Sequence, residues 1–152
     1  MHTEDTDKCA EIYHDISLCG KILTDLTAYK NYFAPFVNDD DKYAICFLKE
    51  DEVIGFLTAL QVPDMFYEFM VYIDNIAVAP IHQKKGYGSV ALKLFIDSLP
   101  RNTIKHLITE KSLPAYVMYE KLGFEDIGGC IMESSPIINV LKKYRSENQI
   151  DA

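Results

Sequence analysis

Gln83, Lys84, Lys85, Gly86 and Gly88 stand together just after a strand-forming run, Tyr72 to Val78, and just before a helical pattern. Pro80 ends the run because it cannot donate to a sheet ladder. A glycine-containing loop that opens a helix leaves backbone N–H groups unpaired at the positive end of the helix dipole, which makes an anion site. Lys84 and Lys85 add positive charge to it in a chain that is otherwise acidic. The phosphate loop G-x-x-x-x-G-K-[ST] is absent, and Ala91 stands where the third glycine of G-x-G-x-x-G would be, so two common nucleotide loops are excluded. Upstream, the apolar run carries two polar residues, Asp74 and Asn75. Downstream, Tyr119 lies on a short helical stretch that ends in Leu122-Gly123-Phe124.

The pattern Gln83-x-x-Gly86-x-Gly88 after a strand and proline resembles the coenzyme A pyrophosphate loop of the GNAT superfamily of N-acetyltransferases. Taken by itself it is also an ordinary strand-to-helix turn. A second block, Ser112 to Phe124, resembles the other signature of that family, a short helix carrying a tyrosine and ending in Leu-Gly-Phe, and Tyr119 to Phe124 matches it residue for residue. One strand-like run, Ile104 to Thr109, separates the two blocks, and Gly55-Phe56 looks like the Gly-Phe of the family's third strand. The resemblance covers Val53 to Phe124. The family often has asparagine where this chain has Ser112; a serine can cap the helix or reach a cofactor atom, but the asparagine's contact is not implied. The resemblance implies acetyl-CoA as co-substrate and no metal. It implies that Gln83, Lys84, Lys85, Gly86, Tyr87, Gly88 and Ser89 hold the pyrophosphate, that the backbone of Ile76, Ala77 and Val78 meets the cofactor's amides and thioester carbonyl, and that Ser112 lies beside the cofactor.

Transfer of an acetyl group from a thioester to an amine makes three demands. The amine must lose a proton, since a lysine-like amine has a pKa of about 10.4. The developing oxyanion needs fixed donors. The departing thiolate benefits from a proton. By the resemblance Asp74 is the base, directly or through water, and Tyr119 is the acid, while the backbone N–H groups at Ile76 to Val78 are candidate oxyanion donors. The bland readings are a polar Asp74 paired to a turn or a lysine, and a core Tyr119 on the face of Ala115, Met118 and Leu122. Strict alternation puts Asp74 on one face with Tyr72, Ile76 and Val78, and Asn75 on the other as a structural residue. Glu68 is a weaker alternative base. Tyr29, Tyr32, Phe33 and Phe66 can line an acceptor pocket, His82 and His106 read as surface or cap residues, and Asp39 to Asp41 as a solvated turn.

The elements that must place these residues follow from periodicity. Residues 5–18 and 21–33 read as helices, with Pro35 stopping the second. Tyr43 to Leu48 and Val53 to Val62 form a hairpin around Glu50-Asp51-Glu52, and Phe69 to Val78 is the central strand. A helix over 89–98 crosses to the strand at Ile104 to Thr109, which demands a parallel pair. A helix from Ala115 to Leu122 follows Pro114, then strands over 124–132 and 137–141, then a polar tail over 142–152. The fold class is α/β of mixed, α+β-like character, one domain over 1–152, and the family likeness implies a central sheet whose parallel strands splay around the cofactor. Little chain precedes the first helix, so the first edge strand is short or missing, and a partner subunit, as in a homodimer, can cover the edge.

The 152 residues, 49% of them hydrophobic, suffice for one core. A net charge of −8 argues against nucleic acid and suits a cationic acceptor. No run is long enough to cross a bilayer and no apolar signal segment starts the chain, which reads as a cytoplasmic protein with no membrane partner. Cys9, Cys19, Cys46 and Cys130 form no C-x-x-C pair and no metal spacing, so reduced thiols are expected. The expected function is N-acetylation of a primary amine of a small molecule or peptide. The competing functions are a non-catalytic acyl-CoA-binding or regulatory module of the same fold, and an acetyltransferase acting on a protein partner.

Overall fold

The computed structural model describes residues 1–17, 25–37, 39–66 and 69–128. Met1–Ile108 and Thr109–Ala152 are two units, each compact in itself.

In the first unit a 3-10 turn, Thr3–Asp5, leads into α1 (Thr6–Ile16); then come α2 (Thr27–Val37), β1 (Lys42–Lys49), β2 (Glu52–Pro63), β3 (Phe69–Val78), a 3-10 turn at Pro80–His82, α3 (Tyr87–Ser98) and β4 (Ile104–Leu107). The sheet order is β1-β2-β3-β4, with β1–β2 and β2–β3 antiparallel and β3–β4 parallel, as the hairpins and the crossover helix require. Glu50 and Asp51 turn the first hairpin with φ of 50° and 66°, the left-handed pair that a two-residue turn needs to match strand twist.

Helices cover both faces of this sheet. Cys9, Ala10 and Ile12 of α1 and Tyr29 and Phe33 of α2 pack with Phe56 and Ala77 on one face. Tyr43, opposite Ala59 in the ladder, meets Phe95 of α3 on the other, ring centroids 5.2 Å apart. β2 runs between the two layers, and Ile54 to Ala59 are buried without a break. Among the described residues no strand precedes α1. The α-amino group of Met1 instead donates to the Ala44 carbonyl on the outer edge of β1, at 2.9 Å.

Three boundaries differ from the periodic reading. In place of a helix from Lys21, Asp25 and Leu26 are non-helical, and Asp25 Oδ1 accepts the backbone N–H and the hydroxyl of Thr27 at 2.8 and 2.6 Å, a capping arrangement that starts α2 at Thr27. Pro35 lies inside α2, which continues to Val37 because Phe36 is buried there; a proline in the last turn forfeits one backbone bond and the packing outweighs it. β4 ends at Leu107, not Thr109, since its parallel ladder with β3 pairs only Met70 to Ile73 with Ile104 to Leu107.

In the second unit α4 spans Pro114–Lys121, with Pro114 at its first turn and Gly123 after it at φ +88°, a left-handed C-terminal stop. Residues 124–128 carry no strand, so the strand expected from Phe124 is not formed over that stretch. The rest of that strand and the one at 137–141 lie outside the described residues. So do the loop residue Glu68, the helix break at Gly20, Cys19 and Cys130. No described helix is long and apolar enough to cross a membrane.

Candidate active site

The ladder between β2 and β3 slips by one residue in its middle. Asn75 pairs with Thr58 and Ile73 with Ala59, so Asp74 is an extra residue in β3. Such a bulge breaks the alternation of side chains and re-aims them. The assignment of Asn75 to the face opposite Asp74 is therefore overturned: both reach the α2 side. The Tyr32 hydroxyl of α2 donates to Asp74 Oδ2 in a short hydrogen bond. Asn75 Nδ2 donates to the Tyr32 oxygen at 3.0 Å and to Asp74 Oδ2 at 3.3 Å, and Thr58 Oγ1 lies 2.6 Å from the Tyr32 oxygen. Because the single Tyr32 proton is committed to Asp74, Thr58 is the donor in that pair. Burial, and then the bond to the Asp74 carboxylate, push the Tyr32 phenol well above its ordinary range. The hydrogen bonds to the Asp74 carboxylate all fall on Oδ2, and Oδ1 makes none among the described residues. Tyr72, two residues away, is also raised, first by burial and then by the Asp74 charge.

Beyond Asp74, β3 continues to Val78 while β4 has stopped. Ile76, Ala77 and Val78 pair on one side with Leu57, Phe56 and Gly55 of β2, and the described ladder with β4 does not reach them. Gly55 is required at this point, since a Cβ there would lie 2.4 Å from the Ala77 carbonyl oxygen and 2.6 Å from the Phe47 ring.

The loop after β3 is tied to the strand end. Gln83 Nε2 donates to the Val78 carbonyl at 3.0 Å, and Lys85 Nζ donates to the Ile81 carbonyl at 2.9 Å. Lys84 takes φ +60° and Gly86 φ +83°, two left-handed positions within a short loop. Gly86 is the N-cap of α3, which has no side-chain cap, and the first helical bond runs from the Val90 N–H to the Gly86 carbonyl at 3.1 Å. The N–H groups of Tyr87, Gly88 and Ser89 thus face out of the helix end, as an anion site needs. α3 begins two residues earlier than Ser89, so Gly88 sits in its first turn with a right-handed backbone, and only Gly86 carries the positive φ. His82, expected at the surface or as a cap, ends the 3-10 turn Pro80–His82 and is half-buried. Both its ring nitrogens are buried without a hydrogen-bond partner among the described residues, and its ring meets Tyr87 edge-on at 6.3 Å.

The structure brings Asp74, the stretch of β3 beyond its described ladder with β4 and the loop at 83–89 onto one strand–loop–helix path in the first unit. Tyr119 and Ser112 belong to the second. There Tyr119 packs edge-on against Phe124 at 5.9 Å, its hydroxyl makes no hydrogen bond among the described residues, and burial raises its phenol so that it stays protonated at neutral pH. Ser112 is exposed and does not cap α4, whose N-cap is Leu113. Of the expected pocket residues, Tyr29 and Phe33 are core, Phe66 is exposed, and Tyr32 is the hub of the Asp74 cluster. Sequence reasoning missed Tyr32 as a partner of Asp74; its only signal was a polar tip on a buried helix face. Asp39 is an ordinary turn residue, paired with Lys42 at 2.7 Å. Among the described residues no group of three or more His, Cys, Asp or Glu side chains could hold a metal.

This geometry has counterparts. The family model described as the Acetyltransferase (GNAT) family matches residues 9–124. Among solved structures, a transcriptional regulator from Bacillus halodurans C-125 superposes with a TM-score of 0.74 at 20% identity over 87% of this chain and 94% of its own. A possible acetyltransferase from Clostridium difficile 630 gives 0.73 at 17% identity over 89% and 93%. A ribosomal-protein-alanine N-acetyltransferase from Brucella melitensis biovar Abortus 2308 gives 0.67 at 13% over 89% and 96%. At these identities the structures speak for the fold alone, and no curated protein matches the sequence. The family model, spanning both the bulged strand with its loop and the helix of Tyr119, is what places the chain: it belongs to the GNAT family of acetyltransferases.

Proposed function

We propose that the protein is an N-acetyltransferase of the cytoplasm that moves an acetyl group from acetyl-CoA to a primary amine of a small molecule or peptide, by direct attack with both substrates bound. The observation that carries this is the β3 path itself, where a carboxylate with one oxygen clamped and the other without a partner among the described residues precedes a strand edge that β4 does not cover and a helix end with its N–H groups outward. These residues fit the co-substrate. The N–H groups of Tyr87, Gly88 and Ser89, with Lys84 nearby, suit a pyrophosphate, and the backbone of Ile76 to Val78 suits amides. Acetyl-CoA, when bound, supplies the acetyl group activated as a thioester.

The chain's own residues do the rest. Tyr32 and Asn75 hold Asp74 through Oδ2, so that Oδ1 can take a proton from the amine, directly or through a water. Backbone N–H groups on β3 stabilise the oxyanion without reorganising. Tyr119 holds its proton at neutral pH and gives it to the departing sulfur.

The test follows free-thiol release from acetyl-CoA across a panel of primary amines and peptides with free N-termini. Asp74→Asn should lower kcat/KM most at low pH, with partial recovery at high pH where the free amine is abundant. A small, uniform loss at every pH would make Asp74 structural. Thiol release that no acceptor accelerates would leave an acyl-CoA-binding module without catalysis.

A further inference from the structure

Cys9 of α1 and Cys46 of β1 meet Sγ to Sγ at 3.5 Å. They are 37 positions apart in sequence, and the chain between them includes all of α2. Cys9 is fully buried, while Cys46 is only half-buried. Acetyl transfer uses neither. The contact divides the two thiols by role. The bond to Cys46, and then burial, push the Cys9 thiol up, and the same bond pulls Cys46 down. The less buried sulfur, Cys46, is the one a reagent meets first, and the fully buried Cys9 lies within reach of it.

We infer that Cys9 and Cys46 form an oxidation site, closed to an intramolecular disulfide by low-molecular-weight disulfides such as oxidised glutathione. The Cys46 thiolate attacks one sulfur of the reagent, forming a mixed disulfide and releasing one thiolate. Cys9 then gives up its proton and attacks Cys46 Sγ, expelling the second thiolate, which takes that proton. Two protein thiols are oxidised by two electrons, and one reagent disulfide becomes two thiols. Closure from the thiol contact to an S–S bond of about 2.05 Å asks for roughly 1.5 Å of movement shared between two side chains. It fastens α1 to β1 around α2, the helix that carries Tyr32.

The experiment uses the full chain with Cys19→Ser and Cys130→Ser, so that only this pair can react. Incubation of the folded protein with oxidised glutathione should lower the intact mass by about 2 Da, with no lasting adduct. A digest should yield one peptide pair joined through Cys9 and Cys46, and the Tm should rise on the order of 10 °C, because the crosslink restricts the unfolded chain. Adding Cys9→Ala should leave a stable glutathione adduct on Cys46, about 305 Da heavier. Adding Cys46→Ser should leave Cys9 unmodified. Two free thiols after incubation, or an adduct on Cys46 that persists with Cys9 present, would overturn the proposal and reduce the contact to core packing.

Discussion

Tyr32 has one proton to give and two lone pairs to fill, and the fold uses all three: a bond to Asp74, one from Asn75 and one from Thr58. The hub spans α2, β2 and β3, so it fixes a carboxylate by elements far apart in the chain. Tyr119 is the opposite case, a phenol with no bond of its own among the described residues and a proton held by burial. General-acid help is typically worth about 10²–10⁴-fold. Tyr119→Phe keeps the ring against Phe124, so coenzyme A affinity should stay within a few-fold while kcat falls about ten-fold or more. Measured kcat, coenzyme A affinity and Tm on this variant decide the matter, since normal turnover with a lowered Tm would assign the tyrosine to the core.

The elements that matter most are the β2–β3 ladder and the loop that leaves it. Gly55→Ala puts a Cβ against the Ala77 carbonyl, a backbone atom that cannot swing aside. A cost of about 1–3 kcal/mol is expected, read as a fall in Tm of roughly 3–10 °C. In the loop, Gly86 has open space around its Cα, so its requirement is the φ of +83° and not room. Gly86→Val should remove most of the rise in Tm that coenzyme A gives the parent protein by mass action, while Lys84→Ala, at an exposed site, should weaken binding by about 1 kcal/mol or less. An undiminished coenzyme A shift in Gly86→Val would move the pyrophosphate elsewhere. The loop was legible because glycine, lysine and proline act locally. The bulge was not, because nothing in Tyr72 to Val78 marks which residue the ladder will skip; that is set by the register with β2.

For the molecule as a whole, three half-buried phenols link stability to alkaline pH. Tyr32, Tyr72 and Tyr119 all have pKa values raised above the ordinary value of 10.0, with burial the first cause in each. Below pH 10 both folded and unfolded chains keep these protons and the stabilisation is complete. As the pH climbs past 10 the unfolded chain ionises first, and stability is lost progressively towards the folded values. Tm measured from pH 8 to 11 should therefore hold and then fall. Tyr32→Phe should start lower, having lost its hydrogen bonds, but fall less steeply; an identical slope would mean that Tyr32 ionises as freely folded as unfolded.

The sequence by itself determined the order of elements from β1 to α4, the glycine loop that opens α3, the helix carrying Tyr119 and the parallel crossover, because periodicity, turn chemistry and a helix end are properties of neighbouring residues. It also determined that Asp74 stands on the central strand. Only tertiary structure decided what Asp74 meets. Alternation along one strand separated Asp74 from Asn75, and pairing with another strand brought them together under a tyrosine 42 positions earlier. The Pro35 helix end was overruled in the same way, by the burial of Phe36. The Cys9–Cys46 contact was likewise invisible to spacing, since two thiols 37 positions apart are neighbours only once α1 has packed on β1. Local chemistry is written in the order of residues, whereas a bond between distant side chains exists only after the layers have closed.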